Sequence, residues 1–506
     1  MSEAFRTIPK VDSVLNHGAL QGLPYGAGLL KRAVQEALDE IRSAIAAGEI
    51  EQSPGAAEVA GGVARKISDI MDTGLRPVIN AAGVIVYTNL GRAPLSREAI
   101  DAVVSVAQGY SDLEYDLKEG KRGSRQAHIR PVTRSCFGVE DALVVNNNAA
   151  AVMLVLLSLA KGKEVIVSRG ELVEIGGSFR MPDVMALSGA VLREVGATNK
   201  TRLSDYRNAI SDNTALIMKV HRSNFSIVGF TEEVEIRELA SLAREIGIPL
   251  FVDMGSGVPF DLSPYGIAEE WTIDGCLEQG ADVLCFSADK VLGGPQAGII
   301  LSSTDLVEKM ARHPLHRAVR VDKMVIASLA ATLSLLARGQ HNRIPVLAMI
   351  TEGADAVKKR AGRLKRRIGR AVAAKGTTMG DSVGAKAGAT VEDNMGPVGA
   401  EAQRGKMGAT VAAKVGSVEK AAVKATVIPT RAIIGGGSAP TKSFPSYGVQ
   451  ITSPRAVELH ARLRTGTPAV VCRIEDDRLV FDLKAVPEGK IDELAARIIE
   501  VLGHAG

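Results

Sequence analysis

Ala281–Ser303 reads ADVLCFSADKVLGGPQAGIILSS, and this stretch decides the fold of the chain. A short apolar run, Val283 to Phe286, ends in Ser287-Ala288-Asp289-Lys290. A Gly-Gly-Pro turn follows, and a second apolar run, Gly298 to Leu301, resumes at once. The pattern predicts a buried strand, a lysine at its end and a return strand. An amine confined where a buried strand meets a glycine-rich turn is partly desolvated. That lowers its pKa and leaves a fraction uncharged and nucleophilic, able to hold a Schiff base. The commoner use of a lysine after a strand is a solvated loop residue, so the reading depends on partners elsewhere.

Composition bounds the answer. With 506 residues, 46% hydrophobic and 23% charged, the chain can bury a large core and should divide into two to four domains. The opening MSEAFRTIPKVDSVLNH has no apolar core of signal-peptide type, and the longest near-apolar stretch, Ala149–Ala160, is too short to cross a bilayer. A cytoplasmic protein without a membrane partner is the expectation. Cys136, Cys276, Cys285 and Cys472 lie far apart with no C-x-x-C pair, so buried thiols are expected and no zinc site or other metal site. The net charge of +4 permits a polyanionic partner without demanding one.

In chain order, Tyr25–Gly48 carries Leu29, Leu30, Ala33, Ala37, Ile41 and Ile45 at helical spacing, which predicts a small helical N-terminal domain over residues 1–70. Ser53–Gly62, rich in Gly, Ala and Pro, reads as a linker. From Leu143 onward strand-like and helix-like segments alternate. Leu143–Val145, Val165–Val167, Leu216–Val220, Leu250–Asp253 and Val283–Phe286 read as strands, with helices at Ala149–Leu159, Leu203–Ile210 and Val234–Ile246. Such alternation predicts an α/β core, over 75–350, built on a mostly parallel sheet covered by helices.

Ligands of open parallel sheets bind outside the carboxyl ends of the strands. Asn146-Asn147-Asn148 follow the first strand, His221 the third, Asp253 the fourth and Lys290 the fifth. Asn147, Asn148 and Ala149 open a helix whose exposed N–H groups and positive end suit a phosphate, although an Asn-rich N-cap explains them equally well. Asp253 enters a glycine-rich turn and could pair with a protonated ring nitrogen or cap the turn. His221 could stack on a planar cofactor or be a hydrogen-bonded structural histidine. Taken together the four match pyridoxal phosphate: a phosphate cup, an aspartate for the pyridine nitrogen and a lysine for the aldehyde.

TNLGRAPLS at Thr88–Ser96, GSRQAH at Gly123–His128, LVVNNNAAA at Leu143–Ala151, KVHRSNFSIVGFT at Lys219–Thr231, FVDMGSG at Phe251–Gly257, DVLCFSADKVLGGPQAG at Asp282–Gly298 and RAVRVDKM at Arg317–Met324 resemble bacterial L-seryl-tRNA(Sec) selenium transferases, the selenocysteine synthases. The resemblance covers about residues 8 to 350 and resumes at Ile433–Leu483. It implies a fold-type-I pyridoxal-phosphate enzyme assembled as a homodecamer, a ring of five dimers, whose N-terminal domain grips tRNA. Its implied reaction turns seryl-tRNA(Sec) into selenocysteinyl-tRNA(Sec) with selenophosphate, through a dehydroalanyl intermediate. Carried over, Lys290 is the Schiff-base lysine and Asp253 the partner of the pyridine nitrogen. Arg92, Arg317 and Arg320 bind the anionic selenium donor, with Arg125 a further anion contact. Forked guanidiniums suit a tetrahedral oxyanion; a basic helix surface is the plainer account of Arg317 and Arg320.

The chain departs from the pattern after the core. Lys358–Lys375 holds nine basic residues and no acidic one, with Leu364, Ile368 and Val372 at helical spacing. A solvated face and a tRNA contact both remain open for it. Residues 376–425 contain no Leu, Ile or aromatic and read as an insertion at the start of a small α+β C-terminal domain spanning 351–506. Two other readings stay open. One is a pyridoxal-phosphate lyase of a small amino acid or amino sugar on the same scaffold; the other is a tRNA-binding relative with impaired catalysis.

Overall fold

The computed structural model describes residues 3–71, 74–175, 179–374 and 424–503. The chain divides into two compact units, Met1–Pro77 and Val78–Gly506. The first is helical. Helix α1, Ala27–Ala46, buries Val34, Leu38 and Ile45, and helix α2, Ala56–Met71, buries Val59, Ala60, Val63 and Ile67. Val14 and Leu20 complete this core. The linker expected over Ser53–Gly62 is therefore largely helix. The apolar positions of α2 fall on one face at helical spacing, and burying them outweighs the cost of about 1 kcal/mol for each of Gly61 and Gly62 inside it. The unit extends past residue 70 to Pro77.

The second unit is built on a seven-stranded sheet. Its strands are β1 (Asp141–Val145), β2 (Glu164–Ser168), β3 (Val191–Val195), β4 (Thr214–Val220), β5 (Leu250–Gly255), β6 (Val283–Ser287) and β7 (Gly298–Ser302). They lie in the order β1-β7-β6-β5-β4-β2-β3. All neighbours run parallel except β7, which is antiparallel to both β6 and β1. The Gly-Gly-Pro turn explains the exception, because a connection this short can only return the chain beside β6. Both faces of the central strands are covered, and β1, β6 and β7 are buried at every position. This is why they read as unbroken apolar runs rather than as alternating ones.

Helix α3, Asn148–Leu159, starts at the end of β1 and is capped by Asn147, whose side-chain oxygen accepts from Ala150 N. Helix α4, Ile236–Ile246, begins with a Glu235/Glu238 capping box, buries Ile236, Leu239, Ala240, Leu242 and Ala243, and stops at Gly247 with φ 72°. Helix α5 spans Lys323–Ala337 and α6 Ala354–Ala374.

The C-terminal part is α+β. Strands β8 (Lys424–Gly435), β9 (Ser438–Thr452), β10 (Arg473–Glu475) and β11 (Arg478–Asp482) form an antiparallel sheet in the order β8-β9-β11-β10. One core joins it to α6 and to the last helix, α7 (Ile491–Gly503), through Leu364, Ile368, Val449, Phe481, Leu494 and Ile498. The face of the basic run that carries Leu364, Ile368 and Val372 is thus buried, and Arg360 is buried with it on the Glu352 carboxylate and the Leu483 carbonyl. Arg363 pairs with Glu488 and Arg367 with Asp492 at 2.6 Å, leaving Lys359, Arg366 and Arg370 exposed. The expected insertion 376–425 lies outside the described residues except for Lys424 and Ala425, which begin β8.

The C-terminal sheet is stitched to the start of the same unit. Val78–Asn80 pairs in parallel with Ala469–Val471, while Ile85 N and Val86 N donate to Ile433 O and Ile434 O at 3.1 and 2.7 Å. The Gly435-Gly436-Gly437 turn between β8 and β9 then lies against Val84 and Val86. A Cβ on Gly435 would fall 2.4 Å from Val84 Cγ1, and all three residues have positive φ, so glycine is required on both counts.

Candidate active site

Lys290 ends the segment after β6 and is only 5% exposed. Burial holds its ammonium below the usual lysine pKa, and the Arg92 charge adds to the effect, while Asp253 and Asp289 oppose it. Beside it on β5, which pairs with β6 at Asp253↔Cys285, the Asp253 carboxyl is equally buried. Burial raises its pKa despite a hydrogen bond from Asn148 Nδ2 to Oδ1 at 2.9 Å, the Lys290 charge and the Cys285 thiol 3.7 Å away. A cation brought against such a carboxyl would favour its charged form.

His221 follows β4, and its N–H donates to Asp253 O at 2.9 Å. Its ring lies 4.8 Å from that of Trp271, tilted by 55°, and its Nε2 is 3.4 Å from Glu270 Oε1. Burial, then the Lys290 charge, holds the imidazole down to about 4, so it is neutral at pH 7. Glu270 is pushed up to about 7 by burial.

Asn147 serves as the N-cap of α3, the plainer of its two readings. The helix nevertheless leaves the N–H groups of Asn148 and Ala149, its first two residues, without intrahelical acceptors. Gly298 makes close packing here possible, since a Cβ on it would meet Asn147 O at 2.3 Å. On the far side of Lys290 two glycines keep space open. A Cβ on Gly437 would stand 3.8 Å from Lys290 Nζ and 3.7 Å from Ser223 Oγ, and one on Gly255 would stand 3.9 Å from each. Buried polar atoms converge on the same place. Asn148 Oδ1, His221 Nδ1 and Ser256 Oγ have no hydrogen-bond partner among the described residues. A buried amine with a lowered pKa, a buried carboxyl with a raised one, a helix start with free N–H groups and unpaired polar atoms fit a planar phosphorylated aldehyde with a basic ring nitrogen. Among the described residues no cluster of three or more His, Cys, Asp or Glu is placed to hold a metal ion.

The four expected arginines are not brought together within one chain. Arg92 donates to both carboxylate oxygens of Asp289, at 3.0 and 2.8 Å, which sets it beside Lys290. It holds a left-handed φ of 64°, a conformation that costs on the order of 1 kcal/mol outside glycine and that the ion pair helps to fix. Arg125, Arg317 and Arg320 instead line a separate cavity of about 320 Å³, together with Arg122, Arg312, His313 and His316; neither Arg92 nor Lys290 borders it. Arg125 is committed to Glu114 and to the Val321 carbonyl, whereas Arg320 lies 4.0 Å from Glu114 and stays 41% exposed at its side chain. Sequence reasoning missed Asp289, Ser223, Glu270, Trp271 and Gly437. Asp289 adjoins Lys290 and Ser223 lies in KVHRSNF, but their partners are far away in sequence.

The sheet order, the lone antiparallel strand β7 and the lysine after β6 make this the type-I fold of pyridoxal-phosphate-dependent transferases. A solved D-glucosaminate-6-phosphate ammonia-lyase shares that fold, with a TM-score of 0.53 and 18% identity, over 85% of this chain and 97% of that one. Sequence is more specific. The family described as L-seryl-tRNA selenium transferase matches residues 78–395 and 398–487, and the one described as selenocysteine synthase N terminal matches residues 5–42. The L-seryl-tRNA(Sec) selenium transferase of Carboxydothermus hydrogenoformans is 43% identical, over 97% of this chain and 96% of the relative. That of Aquifex aeolicus is 40% identical over 99% and 100%, and that of Desulfomicrobium baculatum 49% identical over 74% and 82%. The chain belongs to the L-seryl-tRNA selenium transferase family.

Proposed function

We infer that this chain converts L-seryl-tRNA(Sec) to L-selenocysteinyl-tRNA(Sec) with selenophosphate, using pyridoxal 5'-phosphate. The observation that carries the reading is the buried Lys290 amine beside the buried Asp253 carboxyl, in a chain matched along nearly its full length by this family.

Lys290 would bind the cofactor's aldehyde carbon, Asp253 its ring nitrogen, and the start of α3 with Asn148 and Ala149 its phosphate; His221 would lie against the ring. When bound, pyridoxal phosphate supplies an electron sink for the charge left at Cα once its proton is removed. The residues do the rest. Lys290 Nζ, which burial holds below the ordinary lysine pKa, would take the Cα proton of the seryl group. Asp253, ionised by a protonated ring nitrogen, keeps that proton in place. The neutral His221 adds no competing positive charge beside Lys290. Gly437 and its turn cover the amine and limit water.

Arg317, Arg320 and Arg125 offer their donors to the selenophosphate oxyanion, and Arg92 acts next to Lys290. Because Arg92 does not border the cavity that holds the other three, a second copy would be needed to bring the donor's selenium to the seryl β-carbon. A homodecamer of five dimers is the assembly proposed, to be checked by sedimentation. Met1–Pro77 is the proposed tRNA-binding unit, with exposed Arg6, Lys10, Lys31, Arg32 and Arg65 as its candidate phosphate contacts. No described helix is long and apolar enough to cross a membrane, and the cytoplasm is the proposed location.

Purified protein supplied with seryl-tRNA(Sec), pyridoxal phosphate and selenophosphate should form selenocysteinyl-tRNA. Failure to form it at any donor concentration, by protein that has bound the cofactor, refutes the assignment.

A further inference from the structure

We propose that the cavity between His221, Trp271 and Phe225 receives the terminal adenosine of the acylated tRNA, the nucleoside that carries the seryl ester; this rests on the function inferred above. The cavity measures about 270 Å³, a nucleoside-sized space that a free serine would leave mostly empty. Lys290 does not line it, but its His221 wall belongs to the loop that runs beside the reacting amine. His221 begins the loop after β4, and Ser223, two residues on, approaches the same Gly437 position as Lys290 Nζ. The backbone N–H of His221 donates to Asp253 O at 2.9 Å, which ties the loop to the strand of the buried carboxyl. In this proposal the ribose of a seryl ester bound near Lys290 reaches the opening past the Ser223 loop.

The walls suit a base. Acceptor ends of tRNA are single-stranded, and unstacked bases are recognised by aromatic stacking and by hydrogen bonds to their edges. Trp271 is partly exposed to the cavity and Phe225 is 36% exposed, so both can offer ring surface. Glu270 lines the same cavity, and its buried Oε1 accepts no hydrogen bond among the described residues, which leaves it available to an exocyclic amine. Arg222 and Lys442 add positive charge at the wall for the preceding phosphate. The selenium donor fits poorly by comparison. A small oxyanion gains nothing from the aromatic walls of this cavity.

Trp271 is the only tryptophan in the chain, so its fluorescence reports occupancy directly. In the cofactor-loaded full-length protein, adenosine 5'-monophosphate should quench it saturably, and cytidine 5'-monophosphate should do so more weakly. With seryl-tRNA(Sec), replacing the terminal adenosine by cytidine should raise KM by roughly 10- to 100-fold in the wild type. That penalty should largely vanish in Trp271→Leu and shrink in Phe225→Ala, an exposed loop position that should not disturb folding, with the cofactor's visible absorbance retained in both. A wild type that turns over yet shows no saturable quenching overturns the proposal, as does an undiminished terminal-base penalty in Phe225→Ala. Saturable quenching by adenosine 5'-monophosphate in protein that does not convert seryl-tRNA would keep the nucleoside site and overturn only the reading of the substrate.

Discussion

Asn148 Nδ2 and Asp253 Oδ1 are joined by a 2.9 Å hydrogen bond across 105 residues of sequence. The bond ties the start of α3, where a phosphate would bind, to the carboxylate that would meet the ring nitrogen. Asp253→Asn should retain the cofactor but lose on the order of 100- to 1,000-fold in turnover, because the amide cannot hold a protonated ring nitrogen. Asn148→Ala should weaken cofactor binding as well. Single-turnover rates and cofactor titrations separate the two; wild-type rates in Asp253→Asn would remove that residue from the reaction.

Lys290→Ala should abolish turnover and the visible absorbance of lysine-bound pyridoxal phosphate while circular dichroism stays unchanged. A variant that keeps the absorbance would shift the attachment point to another lysine.

Arg317→Ala and Arg320→Ala should each raise KM for selenophosphate by roughly 10- to 150-fold, the value of a charge-assisted hydrogen bond, without altering cofactor affinity. Steady-state kinetics at varied donor concentration is the check. An unchanged KM in both would make them the basic helix surface that the sequence also allowed.

Removal of residues 1–77, the whole first unit, should leave cofactor binding intact and lose most of the affinity for tRNA. The competing surface is α6. Because Arg367 is already paired with Asp492, the triple change of Lys365, Arg366 and Arg367 to Ala should weaken tRNA binding only slightly. Filter binding on the two proteins decides, and the opposite ranking would move the tRNA site to α6.

Glu270 has a folded pKa near 7 against an ordinary 4.5, so the folded state holds its proton more tightly than the unfolded one. Its contribution to stability is present below pH 4.5 and is lost as pH rises through 7. Glu270→Gln lacks that loss and should gain on the order of 3 kcal/mol on the wild type between pH 4.5 and pH 8, read by urea denaturation. His221, held to about 4, costs stability as pH falls below 6.5 in both proteins and so cancels in the comparison. A difference that does not change with pH would mean that Glu270 ionises normally.

Much of the core was legible because parallel strands buried on both faces appear as apolar runs, and their carboxyl ends mark the ligand crevice. Lys290, Asp253, His221 and Asn148 were found in that way. What could not be read lies in contacts between distant segments. Arg92 and Asp289 are 197 residues apart, and nothing in TNLGRAPLS announces a carboxylate partner. Trp271 and Glu270 sit in a loop with no periodicity, so neither pointed to His221. The start of α2 reads as a linker because Pro54, Gly55, Gly61 and Gly62 are local signals, whereas the burial of Val59 and Val63 that overrides them is tertiary.

The Gly435-Gly436-Gly437 turn also sets an order of events in biosynthesis. A ribosome delivers Lys290 long before it delivers the turn that covers it, and the β8–β9 hairpin must be added and Ala469–Val471 laid beside Val78–Asn80 before the cover is anchored. Until then the part of the cover that Gly437 places over the amine is missing. A product terminated after α6 would therefore carry Lys290 without the Gly437 side of its pocket.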